Sequence, residues 1–467
     1  MRMTDVEALM WNLEKDPFLA ASIVNVTILD REPDFEKLRR RLERATHVVP
    51  RLRQRVVPTF GRLAPPEWLD DPGFDLDYHI RRVALPAPGD DRTLFDLATI
   101  AAATPFDRTR SLWEFTLVEG LSGGRTAMIQ KLHHTITDGE GGVRMSVEFI
   151  DFARDQPEPE PLPVEERASD DVGPTNVFAA AAESATHNLR RGIGVGRRLL
   201  GDLAGLARHP DRVPTVGANL LAGAQSALRQ LAVTDRAHSP IWGERSLRRR
   251  FEVLRIPLDD TKLAAKALGG SVNDLFVAGA AGAAGAYHRA KGIEVDELRI
   301  SMPISRREKG AAVGGNAFVP ARVLLPCGIV DPVERFDAVR DRLGVTKTER
   351  ALDMGEAFAG IVNVLPTSML VRLTRNQVET VDFATSNVRG APFELFIAGA
   401  RIEANYPMGP TGGTAFNVTT LSSGGWLDMG VNIDLAAIDD PELLRDCLEE
   451  AYGELLAAGG VSPAGNP

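Results

Sequence analysis

Two adjacent histidines followed by an Asp-Gly pair are the residues of this chain best suited to do chemistry. They occupy 133–139, with the sequence HHTITDG. A neutral imidazole can take up a proton near pH 7, so His133 and His134 are both candidate general bases. A single histidine is more often a packed or surface residue than a catalyst. Whether the pair is catalytic therefore depends on the secondary-structure elements that position it.

Two strands are predicted to deliver the histidines to one point. The segments 115–119 and 126–132 have the composition of strands and are joined by the glycine-rich turn 120–124, so the pair ends the second strand. Neighbouring residues of a strand face opposite sides, so His133 and His134 should have different jobs. Asp138 and Gly139 then predict a turn that leads into a helix over 140–152.

The histidine segment resembles the HHxxxDG signature of the CoA-dependent acyltransferase superfamily, which includes chloramphenicol acetyltransferase-like enzymes and peptide-synthetase condensation domains. Further segments resemble the wax ester synthase/diacylglycerol acyltransferase family over nearly the whole chain. They are FDLDYHI at 74–80, PFDR at 105–108, LWE at 112–114, SVND at 271–274 and TSNV at 385–388. The chain departs from the family pattern at Ser111 and Arg389, where the family usually has proline. It also departs at 19–23, where the usual Met-His-Val-Gly motif of the family is missing.

This resemblance implies an α/β fold of two chloramphenicol acetyltransferase-like domains, built of mixed sheets with packed helices, with a catalytic channel between them. It implies an O-acyltransferase that moves a fatty acyl group from acyl-CoA to diacylglycerol or a long-chain alcohol, forming triacylglycerol or wax ester. His134 is the implied general base, with no covalent acyl-enzyme, and His133 packs or hydrogen-bonds behind it. Acyl-CoA is a co-substrate, and no bound cofactor is expected.

The remaining motif residues receive supporting roles. Asp138 is expected to be structural and to pair with an arginine, for which the candidate is Arg53, after the first long helix. Gly139 permits close backbone approach, and its amide or the helix that follows could stabilise developing negative charge.

Two further motifs lie in the second half of the chain. Asn273 and Asp274 either orient a helix and the channel, or Ser271 and Asn273 form an ordinary helix N-cap before the apolar run. Ser386 and Asn387 are predicted to line the channel at the end of a strand.

The chain is predicted to contain an N-terminal acyltransferase domain at 1–155 and a C-terminal acyltransferase-like domain at 246–467. Between them, 156–245 is expected to be a proline-rich linker and a basic helical connector, since alternating prolines at 157–163 exclude helix and sheet interior. The apolar run 275–287 is too short to span a bilayer and predicts a buried helix. In the second domain, strands are predicted at 250–256, 298–303, 318–325, 381–387, 394–401, 415–420 and 427–433, and helices at 332–346, 354–364 and 441–457.

Composition narrows the range of partners and compartments. A formal net charge of −10 argues against general nucleic-acid binding. The segment 190–250 nevertheless holds twelve arginines against four acidic residues, which suits an anionic membrane or lipid-body surface, solvated helix faces, or the phosphates of CoA. Cys327 and Cys447 are too few for a disulfide framework, and no signal-like stretch opens the chain, so the cytoplasm is expected, with peripheral association at the inner membrane face or lipid bodies.

Other chemistries are weighed against this interpretation. Residues 120–124 match the G-x-S-x-G pattern of serine hydrolases, but a nucleophile elbow needs a helix after the turn and this turn precedes a strand. Neighbouring histidines on a strand diverge, so no metal site is expected. Two alternatives stay open: a condensation-type enzyme with a carrier-protein donor, and a non-catalytic lipid- or metabolite-binding relative.

Overall fold

The structure is a computed structural model that describes residues 1–59, 65–159, 238–305, 318–348 and 367–461. The helix predicted at 354–364 lies outside the described residues, as does most of the basic segment 190–250. Within the described ranges, the chain forms two six-stranded mixed sheets, one small hairpin sheet and helices packed on them. This architecture confirms the predicted α/β class.

The first sheet carries the histidine pair. Its order is β11-β12-β1-β6-β5-β4, in which only the β4–β5 pair is parallel. Strand β6 is central, and the β5–β6 connection is the predicted hairpin, with Gly120, Gly123 and Gly124 at positive φ. The strands are β1 (Ser22–Leu29), β4 (Ile80–Ala84), β5 (Trp113–Glu119), β6 (Thr126–His133), β11 (Phe396–Ile397) and β12 (Ala400–Met408); the separate hairpin is β2 (Gln54–Val57) with β3 (Glu67–Asp70).

The second sheet has the order β7-β14-β13-β10-β8-β9, and its β13–β10 and β10–β8 pairs are parallel. Six of the seven strands predicted after residue 246 fall in it, with ends within three residues of the prediction. The strands are β7 (Arg249–Pro257), β8 (Glu297–Ser305), β9 (Phe318–Pro326), β10 (Phe383–Arg389), β13 (Phe416–Ser423) and β14 (Trp426–Asp434).

Helices cover the outer faces of the sheets and border the space between them. In the first half they are α1 (Asp5–Leu13), α2 (Phe35–Val48), α3 (Leu76–His79), α4 (Asp91–Ala103) and α5 (Gly139–Ser146). In the second half they are α6 (Leu258–Ala267), α7 (Val272–Ala290), α8 (Pro332–Thr348), α9 (Thr367–Val378) and α10 (Pro441–Ala458). The prediction extended α5 six residues too far and did not include α9.

Helix α7 is the buried helix expected from its alanine and glycine content. Its first turn has a capping box, in which the Ser271 hydroxyl and the Asp274 carboxylate each accept from the other residue's backbone amide. Small residues then let α10 pack closely: a Cβ on Gly279 would lie 2.2 Å from the Tyr452 ring. The core of the second half forms around this contact.

Two strands of the second half, β11 and β12, complete the sheet of the first. The prediction of a single strand over 394–401 is wrong, because Ala398 and Gly399 adopt positive φ and make a two-residue turn between β11 and β12. Strand β12 then pairs with β1. It also approaches the second sheet, since a Cβ on Gly430 of β14 would lie 2.0 Å from the Pro407 carbonyl oxygen. The two halves therefore share strands across the sheet that holds the histidines.

Candidate active site

A channel of about 620 Å³ lies between the facing sheets and receives side chains from both halves. Gln130 and Leu132 of β6 line the channel, and so does His134, the first residue after the strand. His133 points to the other side and is fully buried. The predicted separation of the two rings is therefore confirmed, and His134 is the one that meets the channel.

The channel wall is divided by polarity. The part of the wall formed by residues before β1, by α5 and by the residues just after α5 is apolar. It contains Met10, Leu13, Leu19, Val143, Val147 and Ile150. On the strands it is more polar, with Asn25, Thr27, Gln130, Asn405, Asn417 and Thr419. His134 lies between these two regions, since its backbone amide donates to Ala21, just before β1 begins.

His133 is held by a network behind the channel wall. The Thr135 backbone amide donates to His133 Nδ1 at 3.1 Å, so the ring proton resides on Nε2. That nitrogen donates to Glu14 Oε2 at 2.9 Å, and Arg108 Nη2 donates to the same oxygen at 3.0 Å. Trp11 and Phe106 pack edge-on against the imidazole. His133 thus closes the turn after β6 and anchors it to the end of α1.

The charge of Glu14 is set by its partners. Burial acts to raise the pKa of this carboxyl, but the hydrogen bonds from His133 and Arg108, together with the positive charge of Arg108, outweigh burial and hold the pKa below its ordinary value. Glu14 is therefore a carboxylate at neutral pH. It acts on the site through His133 and does not line the channel.

Arg51 fixes the backbone of the histidine loop. Its Nη1 donates to the carbonyl oxygen of Thr135 at 2.7 Å and to Glu7 Oε1 at 2.6 Å. Ser111, which stands where the family usually has proline, donates its hydroxyl to the Arg51 carbonyl oxygen at 3.0 Å. The departure at this position is thus accommodated by a buried hydrogen bond to the residue that holds the loop.

Arg53, the predicted partner of Asp138, contacts His47 and Phe74. Its Nη1 lies 3.2 Å from His47 Nε2, and its guanidinium lies over the Phe74 ring. Arg51, two residues earlier, is an arginine that donates to the backbone of the histidine loop. The pairing of Arg53 with Asp138 stays a prediction.

Asp138 begins helix α5. It is buried, and its Oδ1 accepts from the Gly141 backbone amide at 2.8 Å, which is the N-cap arrangement. The next residue, Gly139, lines the channel and faces Val388 of β10 across the interface of the two sheets. The loop after His134 is therefore fixed from the second half of the chain as well as from the first.

The contact at Gly139 predicts a specific cost of adding one methyl group. A Cβ there would lie 2.8 Å from Val388 Cγ2, closer than two carbon atoms can pack. We expect Gly139→Ala to lower the free energy of unfolding by about 1–3 kcal/mol through overpacking and to lower turnover by displacing α5. Urea unfolding and steady-state rates measure both effects.

A second substitution tests the cause of that loss. Val388→Ala removes the methyl groups that the new Cβ meets, so the double variant Gly139→Ala/Val388→Ala should recover most of the stability lost in Gly139→Ala. Additive losses in the double variant would show that the contact is not responsible.

The motifs of the second half meet at the channel wall. Asn387 Nδ2 donates to Asn273 Oδ1 at 3.2 Å and so joins the end of β10 to the start of α7. Ser386 and Asn387 line the channel. Ser271 is the N-cap of α7, as the N-cap alternative expects, but its partner in the capping box is Asp274 and not Asn273.

Sequence reasoning missed Glu14, Arg51 and Gln130 as site residues. Glu14 and Arg51 are distant from the histidines in sequence and meet them only through the tertiary fold. Gln130 could have been found, because it lies four residues before His134, an even spacing that continues the alternation of β6 to the first residue after the strand.

Two kinds of feature are absent from the described ranges. Among these residues, no group of three or more His, Cys, Asp or Glu side chains is placed to hold a metal ion. In the same part of the chain, no helix has both the length and the apolar character needed to cross a membrane.

Comparison with known proteins connects this geometry to a family. Residues 3–276 match the wax ester synthase/diacylglycerol acyltransferase catalytic domain, and residues 314–456 match the C-terminal domain of the same family. A protein of Mycobacterium tuberculosis (strain CDC 1551 / Oshkosh), provisionally named a diacylglycerol O-acyltransferase, is 36% identical, with 98% of this chain and 92% of the relative covered. A second M. tuberculosis protein with the same provisional name is 29% identical, with 98% of this chain and 97% of that relative covered.

Solved structures agree at the level of the fold. The wax ester synthase/diacylglycerol acyltransferase of Marinobacter aquaeolei VT8 superposes with a TM-score of 0.66 at 20% identity, covering 99% of this chain and 100% of that one. The first condensation domain of the CDA synthetase superposes with a TM-score of 0.55 at 15% identity, covering 99% of each chain. The family matches together span most of the sequence, and the chain is therefore an acyltransferase of the wax ester synthase/diacylglycerol acyltransferase family.

Proposed function

We propose that this chain transfers a fatty acyl group from acyl-CoA to the hydroxyl of diacylglycerol or a long-chain alcohol, with His134 as general base. The observation that carries the proposal is the division of the histidine pair. His134 lines a channel with an extensive apolar wall, whereas His133 is buried and bound to Glu14. Of the two rings, His134 is the one positioned to meet a substrate.

In this proposal one imidazole performs both proton transfers. His134 takes the hydroxyl proton as the alcohol oxygen attacks the thioester carbonyl, and a tetrahedral oxyanion forms. When that intermediate collapses, the carbon–sulfur bond breaks and the departing CoA thiolate takes the proton from the imidazolium. The products are an ester and free CoA, and the base returns to its neutral form without a covalent acyl-enzyme.

The N-terminus of α5 is the proposed site of oxyanion stabilisation. The first amides of a helix have no acceptor within the helix, and Gly139 is both the first residue of α5 and part of the channel wall. Its lack of a side chain leaves the amide open to a bound group. A donor of this kind typically contributes a few kcal/mol to the transition state.

The apolar wall supports a lipid acceptor. Met10, Leu13 and Leu19 of the first half, with Val143, Val147 and Ile150 after the histidine loop, offer a surface suited to methylene chains. Contact with a membrane or lipid body is proposed for the part of the basic segment before residue 238. Of the arginines described after it, Arg249 pairs with Asp434 and Arg250 with Glu252 and Glu442.

Release of free thiol from palmitoyl-CoA tests the proposal. The assay is run with hexadecanol, with dioleoylglycerol and without acceptor, and lipid products are separated to identify the ester. We expect release that depends on an acceptor and yields the matching ester in equal amount. Release that ignores the acceptor would indicate a thioesterase. Ester formation only from an acyl carrier protein would favour the condensation-type alternative, and no ester from either donor would favour a binding role.

A further inference from the structure

A polar strip crosses the channel floor away from His134. Gln130 on β6 lies opposite Asn25 on β1, and Thr27 on β1 lies opposite Asn405 on β12. Gln130 Nε2 donates to Thr27 Oγ1 at 2.8 Å, and Thr27 Oγ1 donates to Asn405 Oδ1 at 2.7 Å. Asn405 in turn donates to Ser423 of β13 in the facing sheet. The strip is thus a connected network that holds each amide in a defined orientation.

Gln130 keeps unused hydrogen-bonding capacity in this network. The residue is 9% exposed, and its Oε1 accepts no hydrogen bond from the residues that the structure describes. One hydrogen of Nε2 is engaged by Thr27, which leaves the other available. Neither polar atom of this carboxamide is among the fully buried side-chain atoms without a partner, so its free acceptor and free donor are open to a ligand or water in the channel. Its position in the channel wall makes a substrate a suitable partner.

The distance between Gln130 and His134 determines how far from the reacting atom a substrate group bound by Gln130 must lie. Gln130 lies in β6, and His134 lies one residue beyond its end, where its amide still bonds to Ala21. An extended spacing of about 3.3 Å per residue puts their α-carbons about 13 Å apart. An extended chain advances about 1.2 Å per bond, so a group bound at Gln130 lies on the order of ten bonds from the reacting atom. Leu132, between them, offers only apolar contact.

Among the substrates of the proposed reaction, the donor has such a group. The pantetheine arm of acyl-CoA carries a second amide and a hydroxyl about seven to ten bonds from its sulfur, which matches an extended reach of about 8–12 Å. A fatty alcohol has only methylene groups at that distance. The ester groups of diacylglycerol accept hydrogen bonds but cannot donate to Gln130 Oε1.

We infer that Gln130 binds the outer amide and hydroxyl portion of the donor's pantetheine arm and thereby positions the thioester at His134. The inference rests on the proposed function and assigns the two regions of the channel: the polar floor takes the donor arm, and the apolar wall beyond Ala21 takes the hydrocarbon chains. Thr27 and Asn405 act through Gln130 by fixing the orientation of its amide.

Binding of two thioesters to the full chain tests this assignment. Decanoyl-CoA carries the whole arm, whereas S-decanoyl-N-acetylcysteamine ends after the first amide. We expect Gln130→Leu to raise the dissociation constant for decanoyl-CoA by about 3–10-fold, as for one or two lost neutral hydrogen bonds, and to leave the shorter thioester unaffected. Isothermal titration calorimetry without acceptor measures both constants.

Matched variants separate the assignment from general damage. Gln54→Leu makes the same change at a residue bonded to Asp70 outside the channel and should alter neither constant. Gln130→Met keeps the side-chain length and should behave as Gln130→Leu if the leucine variant folds poorly by thermal unfolding. Unchanged decanoyl-CoA binding, or equal weakening of both thioesters, would overturn the inference and leave the proposed function intact. A wild-type chain that binds neither thioester would instead contradict the acyl-CoA donor itself and, with it, the assignment.

Discussion

Replacing His134 with alanine should lower acceptor-dependent thiol release from palmitoyl-CoA by about 10²–10⁴-fold, the usual contribution of a positioned acid–base group. The imidazole is the one member of the histidine pair on the channel face, and the proposed mechanism uses it for both proton transfers. The loss should fall on kcat, because the donor arm and the hydrocarbon chains contact other parts of the channel. Steady-state rates at several acyl-CoA concentrations separate kcat from KM.

Two variants control this experiment. His47→Ala removes an exposed histidine of α2 that lies outside the channel and contacts Arg53, so it should keep wild-type turnover. His134→Gln retains a polar side chain but cannot shuttle a proton at neutral pH, so it should be nearly as inactive as His134→Ala. Near-wild-type turnover in both His134 variants would remove the histidine from the mechanism, whatever their binding affinities.

The local parts of the site are those that sequence predicts well. Alternation along a strand depends only on backbone geometry, so the opposite facing of His133 and His134 follows from their adjacency once the strand is recognised. The buried helix α7 is equally local, because a long run of alanine and glycine without charge is typical of a helix packed closely on all sides. The acyltransferase family follows from the spacing of short motifs across the chain and is confirmed by the family matches.

The parts that escaped prediction depend on contacts between distant segments. The position of β12 in the chain predicts that it belongs to the sheet of the second half. In the structure it pairs with β1 of the first half, a contact between segments that are distant in sequence. The boundary between β11 and β12 is difficult to predict from sequence, because the two strands are separated only by the two-residue turn Ala398-Gly399 with positive φ. The predicted domain boundaries at residues 155 and 245 divide the chain by sequence position, whereas the first sheet contains strands from both sides of these boundaries.

Of the two single-residue departures from the family pattern, at Ser111 and Arg389, one has a structural explanation. Ser111 supplies a hydroxyl that holds the Arg51 carbonyl, so a polar residue is tolerated where the pattern has proline. Arg389 ends β10 with an exposed side chain, and nothing in the structure explains its replacement of proline.

Removing the Glu14 carboxylate should be the most destabilising single change behind the active site. Glu14→Ala leaves the Nε2–H of the buried His133 and the Arg108 guanidinium without their shared acceptor, which should cost about 2–4 kcal/mol of unfolding free energy. Because His133 also holds the Thr135 amide, the turn that presents His134 should loosen, and kcat should fall with stability. Urea unfolding and turnover rates at neutral pH measure the two losses.

The pH dependence of the effect distinguishes a charge from a space-filling role. The pKa of Glu14 is lowered in the folded chain, so its contribution is fully present above the unfolded value of about 4.3 and is lost as the pH falls through the lower folded value. Glu14→Gln keeps an oxygen for His133 and similar volume but has no charge for Arg108. We expect the stability difference between wild type and Glu14→Gln to be constant from pH 7 to about 5 and to shrink below about pH 4. A difference that is the same at pH 3.5 and pH 7 would mean that Glu14 acts by packing alone, and the electrostatic link from α1 through His133 to the catalytic loop would have to be abandoned.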